Sequence, residues 1–434
     1  MKIVIASDIY YPMTNGVAIF SHNLANGLAR RGHKVMVIAP SFNGKYHETI
    51  DKETKVKTVH LTSMRFPFYP DQINEVPKKK EIFGKQMPRF TYKHGIWWSV
   101  NPYFEIKKVL KKFQPDVVHL QTAETIAIAT MRYVRRYHVP IVSTGHAYPD
   151  NVTGQFKFLK PVKKPVDAAL RAYMASFLKH SEYATVPTEI AIEGLMPDHN
   201  KNSDNGPANY KRYEVPVEAI SNGIDLSKFK PGKPSSKVLQ KYGLENDKKR
   251  VLYVGRVDPE KSIGTIISAF SKAQKEISAA ELVIVGDGID KLNLEQQVEE
   301  LGLAKKVKFL GRVMPPDLQE IYQAGDIFAT ASETETQGIV LIEAAATGLP
   351  LVAVNAGAVK ELCQDKKNGI LCKPGDTNGI AKAIRTLLLD DKLRAEYGKY
   401  SLEVAKKHDI NYTLARFEEI YQTAITMNAG TQGL

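Results

Sequence analysis

Apolar runs and amphipathic stretches alternate along the first half of the chain. Short runs rich in Val and Ile predict buried strands in KIVIAS, KVMVIAP, DVVHLQ, PIVSTGH and YATVPT. Between the first two, GVAIFSHNLANGLARRGH predicts a helix with Phe20, Leu24 and Leu28 on its apolar face and a stop at Gly32. Val- and Ile-rich strands separated by helices predict a parallel sheet that is covered on both faces.

The second half repeats this alternation. Strands are predicted in RVLYVGR, AELVIVGDG, KVKFLGRV, DIFATAS, LPLVAVNAG and GILCKPG, with helices near 262–277 and 290–301. The fold class predicted is therefore α/β, with two doubly wound, Rossmann-like domains. Because ligands of such sheets bind at the carboxyl ends of the strands, we expect the ligands to lie in a cleft between the two domains.

A polar stretch containing Gly and Pro, near 200–212, separates the two halves. We predict an N-terminal domain over 1–215 and a C-terminal domain over 216–408. A last helix, within 409–434, has apolar residues at helical spacing and is expected to pack back on the N-terminal domain. Those apolar residues are Leu414, Phe417, Ile420 and Tyr421.

Composition is typical of a globular protein. The 434 residues are 43% hydrophobic and 25% charged, and they are too many for one hydrophobic core. No apolar run is long enough to predict a membrane span, and the apolar stretch at the N-terminus is too short for a signal peptide, so we expect a cytoplasmic protein. Cys363 and Cys372 are too few for a disulfide framework or a zinc site and are interpreted as structural thiols.

Charge is distributed unevenly. The whole formal net charge of +13 lies within residues 1–215, and the second half is neutral. Such asymmetry indicates a basic face for a polyanion, either an anionic membrane or a nucleic acid. A scattered, solvated positive surface is the alternative that composition leaves open.

The segment SETETQGIVLIEAAATGLP joins a predicted strand to a predicted helix. Glu335 lies in the loop and Glu343 about one turn inside the helix, and both carboxylates suit vicinal sugar hydroxyls. Gly338 allows close approach of a ligand to the backbone, and the amides of Gly338, Ile339 and Val340 suit a phosphate or sugar hydroxyls. An acid at the position of Glu343 can also simply favour the first helical turn.

The segment YVGRVDPEKSI predicts a cationic site. A strand ends at Gly255, which is predicted to contact the donor, and Arg256 and Lys261 follow at a spacing that lets both converge on one anion. Two fixed cations suit a departing nucleoside diphosphate, because its negative charge grows as the glycosidic bond breaks. A pair of solvated surface cations is the alternative, which the position after a strand's carboxyl end disfavours.

Two weaker signals lie in the first half. Asn15 and Gly16 stand between the first strand and the first helix, where backbone amides can meet a diphosphate. His146 follows the strand PIVST and can hydrogen-bond a sugar hydroxyl or position an acceptor, although a lone His is more often structural.

Together, and in this order, these segments resemble glycosyltransferase family 4, the retaining enzymes of the GT-B fold. The family's E-x7-E signature corresponds to Glu335 and Glu343, and its diphosphate-binding pair to Arg256 and Lys261. Its N-terminal glycine loop corresponds to Gly16. The sequence departs from the family where Asn15 stands in place of a second glycine, and where Ser221 precedes Asn-Gly-Ile-Asp in place of proline.

The resemblance implies a role for each matched residue. Glu343 would bind the ribose hydroxyls of the nucleotide, and Glu335 would hold the donor hexose at its 3- or 4-hydroxyl. Arg256 and Lys261 would stabilise the leaving diphosphate, so that no metal and no other cofactor is needed. The family's cleft histidine corresponds to His146, which would contact the donor sugar near the reacting carbon. The resemblance also implies retention by front-face attack, with a donor phosphate oxygen assisting deprotonation of the acceptor.

SETETQG more specifically resembles the bacterial diacylglycerol glucosyltransferases. This resemblance favours a UDP-hexose donor, most simply UDP-glucose, and a lipid acceptor. The segments 107–113, 132–138 and 156–180 are basic and partly amphipathic, and they predict peripheral docking on the inner face of an anionic membrane. In the last segment, the apolar stripe of Val166, Leu170, Tyr173 and Phe177 can equally pack against the domain.

Other functions stay open at this point. The same chemistry could act on phosphatidylinositol, a polyprenyl-linked glycan or a soluble sugar. The chain could also be a non-catalytic GT-B scaffold, which the joint presence of Glu335, Glu343, Arg256 and Lys261 disfavours. A nucleic-acid partner is not expected, because no recognisable nucleic-acid module appears and the basic stretches lack an RNA-binding aromatic signature.

Overall fold

The computed structural model describes residues 1–13, 15–65, 78–82, 85–89, 97–146, 149, 153, 161–195, 208–209 and 215–431. Contacts divide the chain into two compact units. The first comprises Met1–Asp71, Tyr92–Asn222 and Asn411–Leu434, and the second comprises Gln72–Thr91 and Gly223–Ile410. Most of the polar stretch near 200–212, and residues 156–160 of the basic segment, lie outside the described residues.

Eleven of the nineteen strands in the described residues occur in the runs of apolar residues that predicted them. In chain order they are β1 (Lys2–Ala6), β2 (Lys34–Pro40), β3 (His47–Ile50), β4 (Lys57–Leu61), β5 (Met64–Arg65), β6 (Lys78–Ile82), β7 (Lys85–Arg89), β8 (Trp97–Trp98), β9 (Val117–Leu120), β10 (Ile141–Thr144), β11 (Tyr183–Val186), β12 (Ala208–Asn209), β13 (Pro216–Ala219), β14 (Lys249–Val254), β15 (Ala280–Val285), β16 (Val307–Gly311), β17 (Ile327–Ala329), β18 (Leu351–Val354) and β19 (Gly369–Cys372). Of the eight additional strands, β4 and β13 lie inside the first sheet next to its edge strands, and the others are short or lie at sheet edges.

Helices connect the strands. In chain order they are α1 (Gly16–Arg30), α2 (Tyr103–Phe113), α3 (Thr125–Arg136), α4 (Lys163–Leu178), α5 (Glu189–Leu195), α6 (Ser236–Lys241), α7 (Ile263–Ala273), α8 (Lys291–Glu300), α9 (Asp317–Gln323), α10 (Ile339–Ala346), α11 (Val359–Leu362), α12 (Thr377–Leu389), α13 (Asp391–Lys406) and α14 (Ile410–Thr431). Two short 3-10 turns, Pro259–Lys261 and Gln274–Glu276, flank α7.

The sheet of the first unit has the order β12-β13-β11-β10-β9-β1-β2-β4-β3. Its inner strands are parallel, and β12 and β3 pair in antiparallel fashion at the edges. Ile3, Val4 and Ile5 of the central strand β1 are fully buried, as expected for a strand covered on both faces. The direction of winding reverses between β1 and β9, which is the switch point of this sheet.

The sheet of the second unit has the order β16-β15-β14-β17-β18-β19, and every pair is parallel. This is the strand order of a Rossmann fold, with its switch point between β14 and β17. Separate apolar clusters cover its two faces. Cys363 and Cys372 are free and buried in these clusters, in agreement with their interpretation as structural thiols.

The sheet corrects the domain boundary predicted at 215/216. Pro216–Ala219 forms β13, which pairs with β11 and so completes the first sheet. The first unit therefore continues to Asn222, and the second begins at Gly223. The apolar pattern of a short strand does not reveal which distant strand it will join, because sheet pairing depends on its neighbours in space.

The terminal helix α14 lies within the predicted 409–434, and from Asn411 onward it belongs to the first unit. The ring of Phe417 lies 5.8 Å from that of Phe20 and 5.0 Å from that of His119. The Tyr421 hydroxyl is hydrogen-bonded to Nδ1 of His119 at 2.8 Å. Among the described residues, no helix is both long enough and apolar enough to cross a bilayer.

Candidate active site

The switch point of the second sheet brings together two of the predicted segments. β14 leads into Gly255 and Arg256, whereas β17 leads into the loop that holds Glu335. These two strands are neighbours, and ligands of open α/β sheets bind outside the carboxyl ends of strands at this point. The Nζ atom of Lys261 lies 2.7 Å from Oε1 of Glu335, so the two segments meet through an ion pair.

Lys261 is positioned by a tight turn. The 3-10 turn Pro259–Lys261 begins with proline, and the amide of Lys261 donates to the carbonyl of Asp258 at 2.9 Å. Ser262 then adopts a left-handed conformation with φ of 50° and starts α7. This change of direction directs the chain into the helix and leaves the Lys261 side chain beside the β17 loop.

Glu335 is supported by the loop that follows β18. Its carbonyl accepts a hydrogen bond from the amide of Ala358 at 3.1 Å. Gly357 has a φ of 50°, and a Cβ atom there would come within 2.9 Å of the same carbonyl oxygen. Only glycine therefore allows this loop to hold the Glu335 backbone so closely.

Charge keeps Glu335 ionised. Burial by itself raises the pKa of this carboxyl, but the charge of Lys261 and its hydrogen bond outweigh burial and bring the pKa below its ordinary value. The adjacent Glu333 is exposed and has no such partner among the described residues. The structure thus distinguishes the buried, paired Glu335 from the exposed Glu333.

Arg256 follows β14 and is held by two carboxylates. Its guanidinium contacts the side chains of Asp258 and Glu260. Its carbonyl accepts a hydrogen bond from the hydroxyl of Tyr253 at 2.8 Å. The two predicted cations are therefore both paired with protein carboxylates. An anionic ligand that binds them would compete with these partners.

Gly286 allows the turns that follow β14 and β15 to approach each other closely. Gly286, after the neighbouring strand β15, has a φ of 134°, and a Cβ atom there would lie 1.7 Å from the Gly255 carbonyl oxygen. The amide of Gly255 donates to the carbonyl of Val285 at 3.0 Å. The predicted role of Gly255 in approaching a ligand thus accompanies a structural role in closing the β14 turn.

Glu343 bonds to a tyrosine that the sequence did not reveal. Its Oε2 accepts a hydrogen bond from the Tyr322 hydroxyl of α9 at 2.6 Å. Burial raises the pKa of Glu343 to about 7, although the bond from Tyr322 opposes the increase. Glu343 lies in the second turn of α10, so the alternative of a simple first-turn acid does not describe its contact.

The helix α10 begins at the predicted glycine. Gly338 is its N-cap with a φ of 80°, and no side chain caps this end. The amides of the first residues of a helix have no carbonyl partner in their own helix. The predicted binding amides of Ile339 and Val340 stand at these first two positions.

The remaining predicted residues belong to the first unit. His146 follows β10, its Nε2 lies 2.7 Å from Oε1 of Gln121, and its ring lies 5.2 Å from that of Phe20. Burial lowers the pKa of His146 to about 3, so the imidazole is neutral near pH 7. Gln121 is buried, and its Nε2 has no hydrogen-bond partner within the described residues. Sequence reasoning missed Gln121 because it carries no motif of its own.

Gly16 is the exposed first residue of α1. The side chain of Asn15 caps this helix by accepting a hydrogen bond from the amide of Ala18 at 3.0 Å. This is the ordinary role of an asparagine before a helix. The asparagine at which the sequence departs from the family pattern therefore has a structural function here.

The geometry suits anion and hydroxyl binding. Cations beside carboxylates, next to an uncapped helix start, can hold a diphosphate and a sugar together. In the part of the chain that the structure describes, no group of three His, Cys, Asp or Glu side chains is placed to hold a metal ion.

Two Rossmann-like units of this kind define the GT-B class of glycosyltransferases. Sucrose-phosphate synthase from Thermosynechococcus elongatus has a similar solved structure, with a TM-score of 0.73 and 18% identity over 98% of this chain and 99% of that chain. The predicted GT-B fold is thereby confirmed. Residues 14–199 match the family described as Glycosyltransferase Family 4, and residues 235–404 match Glycosyl transferases group 1. The chain belongs to the glycosyltransferases that combine these two domains.

Among its relatives are two alpha-monoglucosyldiacylglycerol synthases. That of Streptococcus pneumoniae is 26% identical over 380 residues, which cover 86% of this chain and 75% of the relative. That of Acholeplasma laidlawii is 27% identical over 376 residues, which cover 85% of this chain and 84% of the relative. A D-inositol 3-phosphate glycosyltransferase of Corynebacterium urealyticum is 28% identical over 425 residues, covering 95% and 91%.

Proposed function

We propose that this glycosyltransferase moves glucose from UDP-glucose to diacylglycerol or glucosyl-diacylglycerol, with retention of the anomeric configuration. The observation that carries the proposal is the cationic and acidic cluster at the second switch point. There Lys261 pairs with Glu335 at 2.7 Å and Arg256 follows the neighbouring strand. A nucleotide sugar has a diphosphate for the cations and hydroxyls for the carboxylates.

Each residue of the cluster receives a donor-binding role in this proposal. Arg256 and Lys261 bind the diphosphate, and the amides of Gly338, Ile339 and Val340 supply further donors at the start of α10. Displacement of Lys261 from Glu335 frees that carboxylate for a hexose hydroxyl. Glu343 accepts from the ribose hydroxyls beside Tyr322.

The transfer breaks the bond between the anomeric carbon and the diphosphate oxygen, and the bonding electrons stay on the diphosphate. Arg256 and Lys261 stabilise this growing negative charge, which is the largest single contribution expected of the protein. The acceptor hydroxyl oxygen bonds to the same face of the anomeric carbon, and its proton passes to the departing phosphate oxygen. We propose that no metal ion is required, since the two side-chain cations take that role.

His146 has a separate role in the proposal. Its neutral imidazole, fixed by Gln121, hydrogen-bonds a sugar hydroxyl and does not transfer a proton. An imidazole whose pKa is about 3 carries almost no charge near pH 7, so this role does not depend on pH there.

The lipid acceptor is supported by the two diacylglycerol-glucosylating relatives and by the basic N-terminal half. Diacylglycerol lies within a bilayer, so an enzyme that uses it must reach the membrane surface. We therefore propose peripheral association with the inner face of the cell membrane, attracted by anionic lipid.

An inositol phosphate is the second candidate acceptor, because the Corynebacterium urealyticum relative aligns over a longer stretch than the two diacylglycerol enzymes. That acceptor is soluble and anionic, and it also suits a basic surface. Activity without any lipid would favour it.

A donor and acceptor screen tests the proposal. Nucleotide release is measured from UDP-glucose, UDP-galactose, UDP-N-acetylglucosamine and GDP-mannose, with diacylglycerol in anionic mixed micelles, with an inositol phosphate, and with neither. Glu335→Gln is compared with its exposed neighbour Glu333→Gln, so that release by a contaminant is recognised. The anomeric coupling constant of the product reports retention.

We expect release from UDP-glucose that depends on diacylglycerol, is lost in Glu335→Gln and is preserved in Glu333→Gln. Release that occurs only with the inositol phosphate would replace the lipid acceptor and keep the chemistry. Release from no donor, or equal release by both variants, would contradict the proposed function.

A further inference from the structure

The short strands β5 and β8 form a two-stranded ribbon with two different faces. Met64 is paired with Trp98 and Arg65 with Trp97 in an antiparallel register. Successive residues of a strand point to opposite faces. Trp97 lies against the protein, with its ring 6.4 Å from that of Phe42. Met64 and Trp98 consequently share the opposite, outward face.

Buried and paired polar groups fasten this ribbon to the first unit. The hydroxyl groups of Ser63 and Ser99 are hydrogen-bonded at 2.8 Å and are buried. Thr62 donates to Glu105 from its amide at 2.9 Å and from its hydroxyl at 2.6 Å. Because Glu105 begins α2, these bonds fix the ribbon and the start of the helix relative to each other.

The helix α2, which begins five residues after Trp98, has lysines on its exposed side. Ile106, Val109 and Leu110 are buried on its inner side. Phe104, Lys107, Lys108 and Lys111 are exposed and occur at the spacing i, i+3, i+4 and i+7, which places them on one side of the helix. The three lysines form no ion pair with any described residue, and the only acid of the helix, Glu105, is held by Thr62.

The apolar members of this surface are strongly exposed. The exposed fraction is 71% for Phe104, 64% for Val100, 57% for Met64 and 38% for Trp98. Met64 pairs with Trp98, and Val100 and Phe104 follow within six residues of it. Exposed apolar side chains grouped in this way beside exposed lysines indicate a site for a partner or a membrane. We call the surface of Met64, Trp98, Val100, Phe104, Lys107, Lys108 and Lys111 the aromatic–lysine face.

The other two basic segments also pack apolar residues within the first unit. In 132–138, Tyr133 and Val134 are buried. In α4, Phe177 at the end of the predicted stripe is buried, and the Tyr173 hydroxyl donates to the carbonyl of Ala123. Lys163 of the same helix pairs with Asp167 at 2.6 Å. The buried Phe177 agrees with the alternative that the stripe of α4 packs against the domain, whereas Tyr173 of the same stripe is exposed.

We propose that the aromatic–lysine face is the surface by which this protein docks on an anionic phospholipid bilayer. The occupant follows from charge and shape: unpaired lysines meet lipid phosphates, while Phe104, Val100 and Met64 enter the acyl boundary beside them. An aromatic ring with adjacent lysines is also the composition preferred at membrane interfaces. The inference rests on the proposed lipid acceptor, and it names the surface that meets the membrane.

Vesicle co-sedimentation tests the docking surface without any catalytic readout. The full-length protein is mixed at low salt with vesicles of phosphatidylcholine alone or with added phosphatidylglycerol. One variant carries Lys107→Glu, Lys108→Glu and Lys111→Glu. Its control carries Lys382→Glu, Lys392→Glu and Lys399→Glu, which change the net charge equally at exposed lysines of the second unit. Phe104→Ser is compared with Leu292→Ser, because both side chains are 71% exposed.

We expect binding that requires phosphatidylglycerol and weakens with salt. Each lysine contributes about fivefold to the affinity, so the triple variant at the aromatic–lysine face should bind at least about a hundredfold more weakly. Phe104→Ser should weaken binding by about tenfold. Both control variants should bind as the unchanged protein does.

Three results would overturn the inference. The first is equal binding to both kinds of vesicle, and the second is an equal loss of binding in the face variants and their controls. The third is a dimer in sedimentation velocity that Phe104→Ser abolishes, because that result would assign the face to a second copy of the chain. Circular dichroism and UDP binding of each variant verify the fold. The proposed function fails separately, by the absence of diacylglycerol-dependent release in detergent micelles, where docking on a bilayer is not required.

Discussion

The two sheets of this protein wind in the same way, but their carboxyl edges carry different chemistry. In the second unit, α10 follows β17 and begins at Gly338 with no side-chain cap. In the first unit, α3 follows β9, and Asp8 accepts hydrogen bonds from the Ile126 amide at 2.9 Å and the Ala127 amide at 3.3 Å. One helix start is thus left for a ligand, whereas the other is filled by the protein's own carboxylate.

The charged and neutral side chains near the predicted binding positions also differ between the two units. The second edge has Arg256 and Lys261 beside Glu335, and the first has the neutral His146 held by Gln121. A diphosphate gains charge during transfer and needs cations, whereas a hydroxyl needs only a hydrogen-bond partner. In the proposed function, one strand order therefore serves both diphosphate binding and hydroxyl binding. The residues that follow each strand decide which of the two occurs.

The largest effect is expected at the charged edge. Arg256→Ala should lower kcat at least about a thousandfold, because it removes a cation that acts on the developing charge. Arg385→Ala is the control, since Arg385 forms only an exposed pair with Glu276. Steady-state kinetics and thermal unfolding of both variants measure activity and fold. A normal rate for Arg256→Ala would remove the leaving-group role.

The free energy of unfolding should depend on the ion pair between Lys261 and Glu335. Both side chains are mostly buried, so Lys261→Met should destabilise the protein by about 2 kcal/mol through the unpaired carboxylate. The double variant with Glu335→Gln should recover much of that loss, although it stays inactive. Denaturant unfolding of the two single variants and the double variant gives the coupling energy. Strictly additive effects would contradict the pairing.

Donor binding should depend on pH through Glu343. Its pKa is raised to about 7, so the carboxyl is protonated below that pH and becomes a full acceptor for ribose hydroxyls above it. UDP-glucose, whose diphosphate does not titrate between pH 6 and 8, should therefore bind about tenfold more weakly at pH 6 than at pH 8. Calorimetry on Glu343→Gln should show no such change. In Tyr322→Phe the transition should move to higher pH, because the bond that stabilises the carboxylate is lost.

The smallest effect is expected at His146, in the first unit. Gln121→Glu places a carboxylate beside His146 and should raise the pKa of that imidazole. A loss of activity of a few-fold should then vary with pH between 5 and 8, where the unchanged protein has no transition from His146. Gln114→Glu, at an exposed position, should leave the pH profile unaltered. The same unaltered profile for Gln121→Glu would show that His146 does not contact a substrate.

Several features could be predicted from the sequence because they are local. Val and Ile runs predicted many of the strands, and Lys261 and Glu335 were each predicted to follow a strand. Their ion pair could not be predicted, because it depends on the pairing of β14 with β17. Long-range contacts could not be predicted. Tyr322 reaches Glu343 from a different helix, and β13 joins β11 in the first sheet. The apolar stripe of α4 also did not reveal which of its residues are buried: Phe177 is buried, whereas Tyr173 is exposed.

Calorimetric titration of UDP into the full-length protein, with EDTA present, tests the central claim most directly. If Arg256 and Lys261 hold the diphosphate, we expect one UDP site per chain and an affinity for UDP that metal removal does not change. We also expect loss of the heat signal in the double variant Arg256→Ala and Lys261→Ala. Binding that requires added Mg²⁺, or that survives the double substitution, would contradict the claim that these two side chains hold the diphosphate of the donor.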